Sequence, residues 1–357
     1  MTHPPQGAAL NPSWLHLGRL RLVVQLLMLV LTVYGGAVLG QFASDKISNA
    51  LPALSCAYDS QNATYCVLVP LQHQMDHRIG ATIAQGREFT LKTLLPIGIT
   101  LATYLAFFVV LGKAFCGWVC PLGTVQELIG RLGRRLGVAG RRLAETAVPR
   151  VRPIKWAMLG TLVIGLPLAA GLGWVPHSFG DPYCQVCPSR LLTTLMTADT
   201  EQLAVRHANI WEAALGTAGN VLFGLMLVAA FSVRQPFCRI CPLLATNALA
   251  QRLGLLRLVK REMHASCDKC GICSRACPMD IPEIHHEHGA RAFNEDCTLC
   301  GRCAEYCPQD GVIAIRFGPL PVFRSSAAYY KARVKEELPD GVPKKPVFWI
   351  KSAEARR

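Results

Sequence analysis

The sequence predicts an all-α polytopic membrane domain with an internal duplication, followed by a small α+β domain. Two observations predict the first part: 51% of the 357 residues are hydrophobic and 17% are charged, and four long runs are apolar and free of charge. One observation predicts the second part, since eight of the 16 cysteines fall in two copies of one motif. The expected segments are 1–21, an N-terminal segment; 22–261, the membrane domain; 262–317, the cysteine-rich domain; and 318–357, a basic, proline-rich tail.

The four apolar runs cover residues 22–44, 93–112, 156–180 and 213–233. Each is long enough to cross about 30 Å of hydrocarbon as a helix, and helices of soluble proteins seldom run that far without a charge. The runs therefore predict four transmembrane helices rather than four buried helices of a large soluble core. The first run also suits an uncleaved signal anchor, because it is long and lacks a small-residue cleavage site.

Loop charges predict the orientation. The segment 113–155 holds nine Lys and Arg residues, whereas 181–212 holds two. Because cytoplasmic loops carry the excess of Lys and Arg, both termini and the cysteine-rich domain are expected on the cytoplasmic side of the membrane. The cysteines expected in the outer loops are Cys56, Cys66, Cys184 and Cys187.

The net charge of +14 does not indicate a nucleic-acid partner. Within 262–317 the acidic residues outnumber Lys and Arg by nine to five. The excess positive charge therefore flanks the apolar runs, where membrane loops require it.

The strongest chemical pattern is Cys-x2-Cys-x2-Cys-x3-Cys-Pro, which starts at Cys267 and again at Cys297. Three closely spaced thiolates bind three irons of a 4Fe-4S cubane, while the fourth cysteine of each run reaches the other cluster. Zinc sites give no reason for this spacing, and a reducing cytoplasm disfavours disulfides. Gly271 and Gly301 hold corresponding places and are expected to let the backbone turn tightly. The motifs predict two 4Fe-4S clusters, one held by Cys267, Cys270, Cys273 and Cys307 and the other by Cys297, Cys300, Cys303 and Cys277.

A repeat places further cysteines at matched positions of the membrane domain. Phe-Cys-Gly-Trp-Val-Cys-Pro-Leu starts at Phe115, and Phe-Cys-Arg-Ile-Cys-Pro-Leu starts at Phe237. The match predicts a duplication in which each half has two spans, a cysteine pair and a short helix. Halves packed around a pseudo-two-fold axis would bring four thiols together, enough for a metal ion or a further iron-sulfur cluster. The alternative is that each pair only packs at a helix-breaking turn. The four residues are Cys116, Cys120, Cys238 and Cys241.

A third element, Cys184-x2-Cys187-Pro188, lies between the third and fourth apolar runs. Three interpretations stay open for this element: a redox disulfide, a metal-binding pair, or a thiol pair on a re-entrant segment. Cys56 and Cys66 favour a disulfide, and a metal-binding pair or free thiols are the alternatives. No CxxCH motif occurs, which argues against covalent c-type haem.

Other polar residues have weaker patterns. His73 and His77 share a helix face that suits a metal ion, although a hydrated outer face fits them better. Three histidines form a polar connector between the two cysteine motifs, and three further residues are candidates for a quinol pocket. The first set is His285, His286 and His288, and the second is His16, Tyr34 and Glu127.

The four spans, the run CGWxCPLGxxQE at 116–127, the second Cys-Pro pair and the terminal two-motif domain resemble the NapH/NosR-type membrane ferredoxins. The resemblance covers 20–317. It implies an inner-membrane quinol dehydrogenase or electron-transfer subunit between the quinone pool and a redox partner, as in periplasmic nitrate and nitrous-oxide reduction. Three features depart from the family pattern: the second pair is CxxCP rather than CxxxCP, the element at Cys184 is additional, and an outer flavin domain is missing.

Three functions stay open at this point. The first is a redox subunit that exchanges electrons with quinol through the clusters. The second is a maturation factor that reduces a metal or a cofactor during assembly of a respiratory enzyme, and the third is a redox-sensing regulator. Whether the chain itself acts as an enzyme on quinol is left open.

Overall fold

The computed structural model describes residues 17–34, 67–138, 142–144, 146–198, 204–205, 209–253, 256–286 and 295–336. Several features named above lie outside these residues: His16, Cys56, Cys66, His288 and the end of the first apolar run, 35–44.

The membrane domain consists of helices joined by short turns. Its helices, in chain order, are α1 Leu17–Val33, α2 68–84 with a π-helical segment at Gln74–Gly80, α3 Leu91–Leu111, α4 Pro121–Arg135, α5 Val148–Gly171, α6 Pro182–Val186, α7 Pro188–Met196, α8 Ile210–Ser232 and α9 Pro242–Arg252.

Among the described residues, three helices, α3, α5 and α8, are long and apolar enough to cross a membrane. They overlap three of the four predicted runs. Helix α5 ends at Gly171 rather than near 180, because Gly173 takes a positive φ of 76° and the chain turns before Pro176. Most apolar side chains of α3 face away from the protein, and only Phe108 is buried, as expected for a helix in contact with lipid.

Helix α2 has no counterpart among the predicted spans. Polar residues such as Gln72, Asp76 and His77 interrupt its apolar pattern, so hydropathy does not reveal it. The helix packs closely against α5, since a Cβ on Gly171 would lie 2.2 Å from the Asp76 carbonyl oxygen.

The C-terminal domain, residues 259–336, carries a three-stranded antiparallel sheet in the order β1-β2-β3. Val259 pairs with Phe317, and a bulge lies at Ile315. The sheet extends on both sides of the interval 262–317. Its elements are β1 Val259–Met263, α10 Ile272–Ala276, α11 Arg302–Glu305, β2 Ile313–Phe317, β3 Leu320–Arg324 and α12 Ala327–Glu336.

Part of the segment expected as a basic, proline-rich tail forms β3 and α12 of the C-terminal domain. Phe323, Tyr329 and Tyr330 are buried, and the Tyr329 hydroxyl accepts a 2.7 Å hydrogen bond from the backbone N–H of Leu17 at the start of α1. Averaged hydropathy does not reveal the apolar residues of a short, charged stretch, because only the strand pairing shows which face of the sheet is covered.

Acidic side chains of the C-terminal domain bind basic side chains at one end of the membrane domain. Asp280 accepts hydrogen bonds from Arg239 at 2.6 Å and from Arg234 at 3.3 Å. Asp296 forms an ion pair with Lys155. These contacts hold the C-terminal domain against the start of α5 and the end of α8.

A second ionic cluster joins α1, α4 and the C-terminal domain. Oε1 of Glu127 lies 2.5 Å from Arg21, 3.0 Å from Arg131 and 3.1 Å from Arg302. Burial alone would raise the pKa of Glu127, but the three guanidinium groups outweigh burial and hold that pKa well below its usual range. Glu127, a quinol-pocket candidate from the sequence, is therefore an ionic anchor between the two domains.

Candidate functional site

The two cysteine motifs of the C-terminal domain have the same local structure. Gly271 and Gly301 precede the short helices α10 and α11 with φ of 73° and 81°, in the left-handed region that favours glycine. In each motif a backbone N–H lies 3.4 Å from the sulfur of the first cysteine, Lys269 to Cys267 and Leu299 to Cys297. Such N–H groups stabilise metal-bound thiolates.

The thiols fall into two groups, and the fourth cysteine of each motif lies with the other motif. One small buried cavity is lined by Cys277 together with Cys297, Cys300 and Cys303. At the other group, burial, together with the neighbouring thiols of Cys270 and Cys267, raises the pKa of the Cys307 thiol to about 12.

This arrangement fits iron-sulfur clusters. The donors are all thiols, the surroundings are apolar, and backbone N–H groups point at the sulfurs. Bound there, 4Fe-4S clusters supply one-electron transfer, and the protein supplies thiol ligands and hydrogen bonds to sulfur.

Replacing Cys277 by serine is expected to remove iron mainly from the site of Cys297, Cys300 and Cys303, because Cys277 lines their cavity. Iron analysis and EPR of the anaerobically reduced full chain check this, with about half of the cluster signal lost. The matched control is Cys307→Ser, which should deplete the other site. Loss of the same signal in both variants would contradict the crossover.

Three Cys-Pro elements in the membrane domain share one backbone form. Cys120, Cys187 and Cys241 are the N-cap residues of α4, α7 and α9, with ψ of 119°, 119° and 124°. A proline follows each of them, which disfavours the helical conformation at the cysteine and suits the first helical position. The sequence therefore forms three helix N-termini, each with a thiol at its start.

A glutamine side chain holds each of two of these elements, and the two glutamines make the same kind of contact. Gln126 accepts a 3.0 Å hydrogen bond from the N–H of Phe237 and lies 3.5 Å from Cys238 Sγ. Gln72 likewise accepts a 3.1 Å bond from the N–H of Tyr183, and its Nε2 lies 3.0 Å from the sulfur of the next residue, Cys184.

A reciprocal contact connects the two repeated halves. Gln126 of the first half reaches Cys238 of the second, and Asn247 of the second half reaches Cys116 of the first, at 3.7 Å. Both amides stand five residues after the proline of their own Cys-Pro pair. The two halves thus exchange equivalent contacts.

The membrane-domain thiols converge. Burial raises the pKa of the Cys238 thiol well above its usual value, and the neighbouring thiols of Cys120, Cys241 and Cys116 raise it further. These four thiols therefore lie close enough to interact electrostatically in a partly buried environment.

Cys187 joins this group. Its sulfur lies 3.6 Å from the Tyr183 hydroxyl, which in turn lies 3.8 Å from Cys241 Sγ. Cys184 and Cys187 are buried inside the membrane domain. The chain after α5 turns back into the domain through α6 and α7 and packs on α8, which loop-charge counting does not detect.

The two thiol systems meet at one backbone contact. A Cβ on Gly117, between Cys116 and Cys120, would lie 2.4 Å from the Thr298 carbonyl oxygen. The indole N–H of Trp118 donates a 3.0 Å hydrogen bond to the Leu299 carbonyl oxygen. The first Cys-Pro pair is therefore in direct contact with the second motif of the C-terminal domain.

The remaining candidates have separate surroundings. Tyr34 donates a 2.8 Å hydrogen bond to the Met196 carbonyl oxygen at the end of α7. The rings of His285 and His286 lie 4.1 Å apart between centroids and are tilted by 41°. His73 and His77 stack at 5.7 Å beside residues that sequence reasoning missed, Asp76 and His177.

Comparison with known families agrees with these features. The family described as "4Fe-4S binding domain" matches residues 93–138 and again 215–261. The family described as "4Fe-4S dicluster domain" matches residues 266–313. No solved structure matches the chain.

The relatives are ferredoxin-type proteins. YccM of Escherichia coli is 29% identical over 51% of this chain and 46% of its own length. The ferredoxin-type protein NapH of Haemophilus influenzae is 27% identical over 52% of this chain and 55% of its own length. The regulatory protein NosR of Pseudomonas aeruginosa is 30% identical over 48% of this chain and 20% of its own length. The chain thus spans about half the length of YccM and NapH, and it is similar to iron-sulfur electron-transport proteins of the NapH/NosR type.

Proposed function

We propose that this protein passes electrons between the quinone pool and a redox partner protein, as a quinol dehydrogenase-type subunit of an anaerobic respiratory system. Two 4Fe-4S clusters in the C-terminal domain would serve this function, together with a further metal or iron-sulfur centre in the membrane domain. The coarser function, iron-sulfur electron transfer, is that of the family.

The clusters are assigned to the two thiol groups described above. One is Cys267, Cys270, Cys273 and Cys307, and the other is Cys297, Cys300, Cys303 and Cys277. Eight thiols in two groups match the ligand requirement of two 4Fe-4S clusters.

The further centre is assigned to Cys116, Cys120, Cys238 and Cys241, at the junction of a duplicated membrane domain. The reciprocal contacts of Gln126 and Asn247 support the duplication, as does the repeated match of one family to both halves. Cys187 lies beside this group and is available as an additional ligand. A partly buried group of thiolates is stabilised by a positive metal centre that balances its charge.

One observation carries the proposal: Gly117 packs directly on the backbone of Thr298 and Cys300. The thiols on either side of Gly117 belong to the membrane domain, and Cys300 belongs to the C-terminal domain. This contact supports electron transfer between the two sets of potential ligands, because both adjoin the same packed backbone segment.

The proposed topology has four spans in a bacterial inner membrane and both termini in the cytoplasm. The basic segment 113–155 lies at the same end of the membrane domain as the C-terminal domain, since Lys155 pairs with Asp296. This common location supports a single cytoplasmic face under the positive-inside rule.

The test is substitution of one cysteine from each half. Cys116→Ser and Cys238→Ser should each remove the same bound centre and abolish quinol-driven reduction, while leaving the eight irons of the C-terminal domain. Metal analysis and stopped-flow absorption of the full chain in liposomes measure both effects. Thr246→Ala, which removes a nearby side chain without a thiol, is the control.

The same assay separates the competing functions. A maturation factor or a sensor would show no rapid cluster reduction or oxidation coupled to quinone. Full metal content and full electron transfer in both serine variants would mean that the shared centre does not exist and that the pairs are structural.

A further inference from the structure

We propose that Asp76, His77 and His177 bind one divalent transition-metal ion of the Zn²⁺ type, at the end of the membrane domain opposite the C-terminal domain. This site is separate from the thiol sites and from the proposed electron transfer. Asp76 and His77 lie in the π-helical segment of α2, and His177 lies in a 3-10 turn after α5.

The spacing of the three side chains suits a bound ion. Asp76 Oδ2 lies 3.5 Å from His177 Nδ1 and 3.7 Å from His77 Nε2. Both distances are too long for good hydrogen bonds. They are close to the separation of about 3.4 Å between two ligands of a tetrahedral ion with bonds of about 2.1 Å. One ligand atom of each residue lies within 4.8 Å of the others, so an ion between them reaches all three after small side-chain rotations.

The Asp76 carboxylate is buried, and its ion-pair contacts among the described residues are the two long ones with His77 and His177. Its side chain is 4% exposed, and no residue in the described part of the chain donates a hydrogen bond to it. Gly180 makes room for it, because a Cβ there would lie 2.3 Å from Asp76 Oδ2. A buried carboxylate that accepts no hydrogen bond is costly, and a cation held jointly with the two imidazoles removes that cost.

The three residues line a cavity of about 490 Å³. His73, Asn209 and Glu212 also line it, so the walls are polar. Three protein ligands beside open space leave a coordination position for water or a small exogenous ligand, as in open zinc sites. A carboxylate and two imidazoles are donors that Zn²⁺ and neighbouring first-row ions accept.

The site is remote from the C-terminal domain. Lys155, near the start of α5, pairs with Asp296, whereas Gly171 at the end of α5 packs against Asp76. Sixteen residues of helix separate the two positions by about 24 Å. Metal loading here is therefore distinguishable from loading of the thiol sites.

Equilibrium dialysis of the full chain against Zn²⁺ tests the proposal, with iron measured in the same samples. The cluster-loaded protein in detergent should bind one Zn²⁺ with an affinity that Asp76→Asn and His177→Ala each reduce at least about 100-fold. His286→Ala, a histidine of the C-terminal domain, is the matched control and should leave Zn²⁺ affinity unchanged. Iron content should be the same in all four proteins. Equal Zn²⁺ affinity in wild type and Asp76→Asn, or no saturable binding by wild type, overturns the proposal.

A second measurement needs no variant and covers the case in which a variant fails to fold. Zn²⁺ should protect His77 and His177 of the wild-type chain from diethyl pyrocarbonate, and should not protect His264 or His286. Equal modification of His77 and His177 with and without Zn²⁺ overturns the proposal.

Discussion

Replacing Glu127 by glutamine is expected to destabilise the protein by about 3–5 kcal/mol, the usual cost of removing one partner from a buried ionic group. The amide keeps the shape of the carboxylate but leaves Arg21, 1% exposed, without a counter-charge. Arg302 loses the same partner, so the contact between α4 and the C-terminal domain weakens as well. Urea unfolding of the full chain in detergent, followed by near-UV circular dichroism, measures the change.

The pH dependence of this effect has a definite sign. The pKa of Glu127 in the folded protein is held well below its usual range by Arg21, Arg302 and Arg131, and the pKa of an unfolded glutamate is about 4.3. The stabilisation is therefore fully present above about pH 4.3 and is lost as the pH falls through the folded pKa. The difference between wild type and Glu127→Gln should stay constant between about pH 5 and about pH 8.

The matched control is Glu262→Gln. Glu262 also pairs with an arginine, Arg316 at 3.0 Å, but both side chains are about a third exposed. Exposed pairs of this kind contribute about 0–1 kcal/mol. An equal loss of stability in the two variants would show that the buried cluster is not an anchor.

Replacing Gly117 by alanine is expected to separate the two thiol systems. The new Cβ would lie 2.4 Å from the Thr298 carbonyl oxygen and 3.2 Å from the backbone of Cys300. Both neighbours are backbone atoms, so no side-chain rotation relieves the overlap, and the cost is about 1–3 kcal/mol. Displacement of reacting partners by about 1 Å can reduce a rate about 100-fold, so quinol-driven reduction of the C-terminal domain should slow at least about tenfold.

Stopped-flow reduction of the full chain in liposomes measures this rate, with iron content as the check on cluster loading. Gly98→Ala is the control, because a Cβ at Gly98 in α3 meets nothing within 4 Å. A rate in Gly117→Ala equal to that of Gly98→Ala would show that the contact with the second motif does not serve electron transfer.

The basic loops illustrate how one sequence feature serves two purposes. Loop charge counting assigns the Arg and Lys residues of 113–155 to the cytoplasmic face of a membrane. The structure pairs several of them with acidic residues of the C-terminal domain, for example Arg142 with Asp280 at 3.3 Å and Arg152 with Glu283 at 3.3 Å. Their number therefore reflects domain docking as well as membrane orientation.

The sequence by itself determined the features that depend on local spacing. The two Cys-x2-Cys-x2-Cys-x3-Cys-Pro runs specify their ligand type within eleven residues, and Gly271 and Gly301 take the predicted left-handed conformation. Three of the four apolar runs coincide with helices long enough to span a membrane, because hydropathy is a property of consecutive residues. The paired Cys-Pro elements are also local, and each begins a helix as a proline at the first helical position requires.

Only the tertiary structure decided which distant residues meet. Cys187 lies beside Tyr183 and Cys241 because α6 and α7 fold back into the membrane domain, although charge counting places that segment outside. Asp76 and His177 are about a hundred residues apart in the chain, and they face each other because glycines 80 and 171 let α2 and α5 approach closely. Contacts of this kind depend on the packing of whole helices, and packing is set by shape complementarity that no short run of residues contains.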